Sequence, residues 1–235
     1  MKRTLEAIYR RLLAHFGQQH WWPGETPFEV AVGAILTQNT TWANASLAVQ
    51  RLKSKRLLAP GKLEKLPQRQ LARLIRSSGY FNQKAKKLKG FVRYLNGRYG
   101  GSLTRMKKVP LSKLRTELLS LNGVGPETAD SILLYALQKP VFVVDAYTKR
   151  FLARHGWVSW KASYDEIQTL FMMNVRRSAP YFNEYHALIV TLGKNLCQTH
   201  PQCHRCPLRD LGNLSLETTP AAIENRKSVF ITHYY

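Results

Sequence analysis

The chain is short of acid. Of its 235 residues 14 are Asp or Glu against 36 Lys and Arg, a formal net charge of +22, and so one-sided a balance points to a polyanionic partner. Charge alone names no polyanion: nucleic acid and an anionic membrane surface both fit, and so does a merely solvated basic face. No apolar run approaches the ~20 residues of a membrane span, and no charged-then-apolar leader opens the sequence. A cytoplasmic, nucleoid-associated protein without a membrane partner is the expectation. Cysteine is scarce as well. Three residues are an odd number, and the expected compartment is reducing, so a disulfide framework is not the reading. Strand-like alternation is nearly absent, and no internal repeat or low-complexity tract is present.

What is there is apolar and helical. Hydrophobic residues make up 44% and aromatics 11% of the chain, enough for a sizeable core. Leu5, Ile8, Tyr9, Leu12, Leu13 and Phe16 recur at helical spacing, as do Phe28, Ala31, Val32, Ile35 and Leu36, and Ala129, Ile132, Leu133, Ala136 and Leu137. Gly and Pro punctuation at WWPGETP, LAPGKLEKLP, NGRYGG, NGVGP and QKP predicts an all-α protein of about nine or ten short helices. Beyond Leu211 the periodicity fades, and residues 212–235 read as a loosely attached tail.

The stretch LNGVGPETAD, residues 121–130, joins two amphipathic patterns. Gly123 and Gly125 are both expected to have access to positive φ, and Pro126 suits the first position of the second helix. The backbone of Gly123, Val124 and Gly125 then offers N–H groups to an anion, in so basic a chain a DNA phosphate. An ordinary Gly-terminated helix followed by another fits the same letters. Eighteen residues beyond Glu127 comes Asp145 in VVDAYTKR, after an apolar run and before a new helix, which suits an N-cap.

LNGVGPETAD followed at this distance by VVD, together with LTQNT (36–40), SGYFNQKAKKL (78–88) and a terminal cysteine cluster, resembles the helix-hairpin-helix DNA glycosylases of the endonuclease III superfamily over about 200 residues. The resemblance implies two helical subdomains with a DNA-binding groove between them. One is a barrel of residues 27–138 and the other combines residues 1–26 and 139–211. It implies a monomer that acts on double-stranded DNA containing a damaged base. Asp145 is then the catalytic carboxylate, and Gln38 and Asn39 are the residues that fill the gap left by an extruded nucleotide. Lys84, Lys149 and Arg150 become phosphate contacts. Each has a plainer reading: a helix cap for Asp145, polar residues at a helix end for Gln38 and Asn39, a solvated face for the cations. In bifunctional members a Lys attacks C1′ from the position that Glu127 holds here. The resemblance therefore implies a glycosylase that uses water, with Glu127 either facing base or water or simply favouring the start of its helix.

Trp21, Trp22 and Pro23, with Trp42 just after LTQNT, are similar to the pattern of the 3-methyladenine glycosylases of endonuclease III type, where such residues line the base pocket; core packing is the alternative for each. An alkylated purine is then the expected substrate. A lyase acting on oxidised pyrimidines, or a non-catalytic DNA-binding module, are the readings to separate from it. Cys197, Cys203 and Cys206 fall within ten positions, and the resemblance implies a [4Fe-4S] cluster whose fourth ligand position is occupied by Gly212. A three-thiolate cluster completed by His200 or His204, a smaller cluster, a Zn²⁺ site and a metal-free loop are all compatible with those letters. Catalysis itself is expected to need no cofactor.

Overall fold

The computed structural model describes residues 1–19, 21 and 24–212. Trp22, Pro23 and the expected tail from residue 213 onward lie outside the described residues. Among those described there is no strand, and the α-helices are α1 (Lys2–Phe16), α2 (Pro27–Leu36), α3 (Trp42–Ser54), α4 (Pro60–Lys65), α5 (Gln68–Leu74), α6 (Phe81–Tyr99), α7 (Leu103–Lys107), α8 (Leu111–Leu119), α9 (Pro126–Ser131), α10 (Ala146–Arg154), α11 (Tyr164–Asn174) and α12 (Ala179–Asn195). Short α4, α5 and α7 carry the number past the expected nine or ten, because five to seven residues hold too little apolar periodicity to read.

The described residues divide into two units, 24–139 and 1–21 with 140–212. The first is built around α2, whose residues from Phe28 to Leu36 are all buried. Its start is fixed by Thr26, whose side chain accepts from Glu29 N, and by Pro27 in the first turn. The longest helix, α6, buries the stripe Lys84, Ala85, Leu88, Phe91, Val92, Leu95 and Tyr99, and stops at Gly100 with φ 59. The pattern expected to continue as one helix from Ala129 widens into a π-helical turn over Ile132–Ala136, closed by Leu137 N donating to Ile132 O at 3.1 Å. All five of its side chains are buried. With no polar face to orient it, burial on every side tolerates the extra residue in the turn.

The other unit packs α1 on α12 and α12 on α10. Leu5, Ile8 and Leu12 are fully buried, as are Phe151, Leu152, Phe171, Phe182 and Leu188. The Tyr185 hydroxyl donates to Leu5 O at 2.7 Å, so even the one polar atom of that ring is satisfied inside the core. α11 opens with a capping box in which Ser163 and Glu166 satisfy each other's backbone.

Candidate active site

Asp145 is reached by a buried run outside regular secondary structure, Val141 to Val144. Phe142 stacks on Phe171 at 3.8 Å, its carbonyl accepts from Gln168 Nε2 at 2.7 Å, and Val144 N donates to the Tyr164 hydroxyl at 3.4 Å. Those ties fix where α10 begins. Asp145 is its N-cap, with Oδ1 accepting from both Thr148 N and Thr148 Oγ1 at 2.7 Å. The cap occupies one oxygen only. Oδ2, fully buried, accepts no hydrogen bond and faces His186 Nε2 on α12 at 3.6 Å, beyond hydrogen-bonding range. The His186 ring lies 5.8 Å from that of Trp21 and 6.4 Å from that of Phe142. Trp21 and Asp145 are thereby gathered around one imidazole. Burial pushes the His186 pKa down, opposed by the Asp145 charge. His186 had no signal in the sequence beyond a histidine on the apolar stripe YHALIV of α12.

The two cations after Asp145 turn inward within their unit. Lys149 Nζ donates to Ala162 O at 2.6 Å, and burial lowers its pKa. Arg150 donates to Gly193 O at 2.9 Å and Cys197 O at 2.8 Å, closing the end of α12, and stacks over Tyr147 at 5.0 Å. Both remain half-buried rather than presented as a solvated pair.

In the other unit the hairpin runs α8, residues 120–125, α9. Arg115 clamps it by a bidentate pair with the fully buried Asp130, Nε to Oδ1 at 2.9 Å and Nη2 to Oδ2 at 3.2 Å. Only one of the two glycines uses its conformational freedom. Gly123 has φ 81, whereas Gly125 sits at φ −90, ψ 178, an extended N-cap that any residue adopts. A Cβ on Gly125 would meet nothing within 4 Å, so the backbone there is open; one on Gly123 would lie 2.4 Å from Lys87 Cε. Val124 is buried as the anchor of the turn. Glu127 stands half-exposed in the first turn of α9.

Gln38 and Asn39 part company. Gln38 Nε2 donates to Gly123 O at 3.0 Å and Thr128 Oγ1 at 2.8 Å, and its Oε1 accepts from Lys87 Nζ at 2.5 Å. It ties the end of α2 to the hairpin. Asn39 is exposed with φ 53, a left-handed backbone that Asn tolerates better than most residues. Tyr80, before α6, is also left-handed at φ 45 and 60% exposed; nothing in its sequence context announces that geometry. Trp42 opens α3 with its ring over Gly33 of α2, where a Cβ would come within 3.1 Å.

Lys84 corrects the expectation of a phosphate contact. It is 2% exposed, with Nζ donating to Leu36 O at 2.8 Å and to Ser78 O. Burial, aided by the Lys87 charge, lowers its pKa to about 8. The four-residue step that keeps Lys84 in register with Leu88 turns it into the core, and it satisfies the carbonyls that end α2 and the turn at Arg76–Ser78.

A four-thiolate cluster does not fit these residues. Cys197 is buried, Cys203 and Cys206 are half-buried, and both neighbours raise the Cys206 pKa, though by less than burial does. Yet the fourth position, Gly212, has φ 76, and a Cβ there would come 2.7 Å from His155 O and 3.0 Å from the Trp157 indole. Among the described residues no group of three or more His, Cys, Asp or Glu side chains is placed to hold a metal ion, and His200 and His204 are exposed. The loop is instead tied by protein groups. Arg154 donates to Cys197 Sγ at 3.4 Å, to Thr199 O at 2.9 Å and to Gln198 O; His155 meets Leu211 O at 2.6 Å and stacks on Trp157; Arg11 pairs with Asp210.

Among solved structures, this arrangement of helices is that of base-excision glycosylases. A non-covalent endonuclease III–DNA complex superimposes with a TM-score of 0.78 at 25% identity, covering 95% of this chain and 99% of that one. The H. pylori 3-methyladenine DNA glycosylase bound to 1,N6-ethenoadenine gives 0.71 at 28% identity, over 80% and 96% of the two chains. A candidate DNA repair glycosylase of Methanocaldococcus jannaschii is 47% identical over 205 residues, 86% of this chain and 93% of its own. The chain belongs to the HhH-GPD superfamily of base excision DNA repair proteins, whose family model matches residues 32–177, and it is a DNA repair glycosylase of that superfamily.

Proposed function

We propose that the enzyme hydrolyses the N-glycosidic bond of a damaged base drawn out of duplex DNA, that the base is an alkylated purine such as 3-methyladenine, and that the product is an abasic site. The observation that carries this reading is the divided carboxylate of Asp145, whose Oδ1 holds the helix while Oδ2 is buried without a hydrogen bond. As the C1′–N bond breaks, its electrons leave with the base and positive charge grows on the sugar. The field of a desolvated carboxylate with one oxygen spent on no donor lowers the barrier, and water then adds to C1′ and releases its proton. The base itself is stabilised by aromatic faces: an alkylated purine is cationic, and an indole such as Trp21 is the best side-chain partner for a cation, worth ~0.5 to 2 kcal/mol. Asn39, with Tyr80, supplies exposed side chains on left-handed backbone to occupy the emptied stack, and the open backbone at Gly125 takes a phosphate. Glu127 has no amine with which to form a Schiff base, which supports hydrolysis over lyase chemistry.

The test measures release of free base from duplexes carrying 3-methyladenine, thymine glycol or no lesion. Wild type is expected to release the alkylated purine, and Asp145→Asn to lose on the order of 10²-fold or more of that rate. Full activity in Asp145→Asn sinks the mechanism, and borohydride trapping of a covalent DNA adduct sinks the hydrolytic assignment. Preference for thymine glycol moves the substrate to oxidised pyrimidines. DNA binding without base release in either protein leaves a binding module.

A further inference from the structure

Asp145 is held by one oxygen and walled at the other. Two donors from Thr148 fix Oδ1, so the carboxylate cannot turn without breaking the cap of α10. Its Oδ2 faces His186 Nε2 at 3.6 Å, and both side chains are 0% exposed. A neutral imidazole at that distance makes no ion pair with the carboxylate. An imidazolium there would be a desolvated ion pair, in which attraction is far stronger than at a surface. We propose that His186 is a positioning residue that walls Asp145 Oδ2 without pairing with it while its ring is neutral, and that switches the carboxylate off when the ring is protonated.

The surroundings support a neutral ring at neutral pH. Burial lowers the His186 pKa from its ordinary 6.5, and the Asp145 charge raises it by less. The titratable groups on the elements around α12 are Asp145, Tyr147, Lys149, Arg150 and Arg154 at α10, Tyr164, Asp165 and Glu166 at α11, and Lys2, Arg3, Glu6, Tyr9, Arg10, Arg11 and His15 on α1. Arg150 is engaged with the carbonyls of Gly193 and Cys197, Lys149 with that of Ala162, Tyr164 with Val144 N, and Tyr9 with the rings of Tyr181 and Tyr185. Tyr147 feels burial first and Asp145 second. The Asp145 charge acts on His186 against the effect of burial. As pH falls through the lowered pKa of His186, below 6.5, the ring gains a proton, pairs with Oδ2 and removes its field from the sugar.

This inference rests on Asp145 being the catalytic carboxylate. Single-turnover base release from a 3-methyladenine duplex is followed between about pH 5 and 8 for wild type, His186→Asn and Asp145→Asn, with circular dichroism at each pH to verify folding. Wild type should show an acid limb of about tenfold per pH unit, the signature of one proton. His186→Asn should lose several-fold in rate at the upper end, keep its KM for the duplex and show no such limb, since the amide fills the ring's place without titrating. The same limb in His186→Asn, or a raised KM at unchanged kcat, overturns the proposal. If His186→Asn does not fold, ¹⁵N imidazole NMR of the wild type decides: a His186 midpoint on the limb supports the switch, and a ring that stays neutral through the limb overturns it. Full activity in Asp145→Asn means that the proposed mechanism has failed, whereas an inactive Asp145→Asn beside an unchanged limb in His186→Asn means that this inference alone has failed.

Discussion

The Lys84 ammonium reaches the carbonyl oxygens of Leu36 and Ser78 from a side chain that is 2% exposed. A lysine in a run of lysines reads as surface charge, and only the neighbours of its helix make it a core hydrogen-bond donor. Replacing it with Met keeps the volume but strips both carbonyls of a donor, so Lys84→Met should lose about 1–3 kcal/mol, seen as a lower denaturation midpoint. The pH dependence has a fixed sign. The folded pKa of about 8 lies below the ordinary 10.5, so between these values the unfolded chain holds a proton that the folded one has released, and stability from this group rises with pH. The gap between wild type and Lys84→Met should therefore widen from about pH 8 to 10 in denaturant titrations. A gap that stays flat would mean that the ammonium is solvated, and one that narrows would mean that folding favours its charged form. Asp145 makes the complementary point, since the cap and the catalytic candidate are two oxygens of one side chain.

At the scale of the element, the hairpin separates two glycines that look alike in the sequence. Gly123 needs its left-handed φ of 81, and any Cβ there drives Lys87 away from Gln38. Gly123→Ala should cost about 1–2 kcal/mol for the backbone alone, more if Lys87 cannot move. Gly125 already has extended backbone and open space, so Gly125→Ala should shift stability by less than about 0.5 kcal/mol. If the open backbone of Gly125 takes a phosphate, the same variant should weaken binding to duplex DNA. Thermal melts and DNA titrations on the two variants check both halves, and equal melting losses would refute the distinction. Helix starts were legible where a capping side chain stands, as at Asp145; the π-helical turn at Ile132–Ala136 was not, because a run that is apolar all round has the same letters in either winding.

Over the whole molecule the charge of +22 acts together. Affinity for duplex DNA should fall linearly on logarithmic axes with salt, by about 0.9 per phosphate neutralised. Lys84→Met should leave that slope unchanged, because a cation spent on carbonyls in the core displaces no counterion from DNA. Fluorescence anisotropy across a salt series measures it; a slope reduced by about one would return Lys84 to the surface. No described helix is long and apolar enough to cross a membrane, as the hydropathy of the sequence implied. The sequence by itself determined the helical class, the basic character and the family, because these depend on composition, periodicity and short motifs that survive without neighbours. Tertiary structure alone decided which lysine is buried, which glycine is strained, that Gly212 leaves no room for a fourth thiolate, and that His186 stands against Asp145. Burial and pairing between residues far apart in the chain are properties of packing, and no local pattern encodes them.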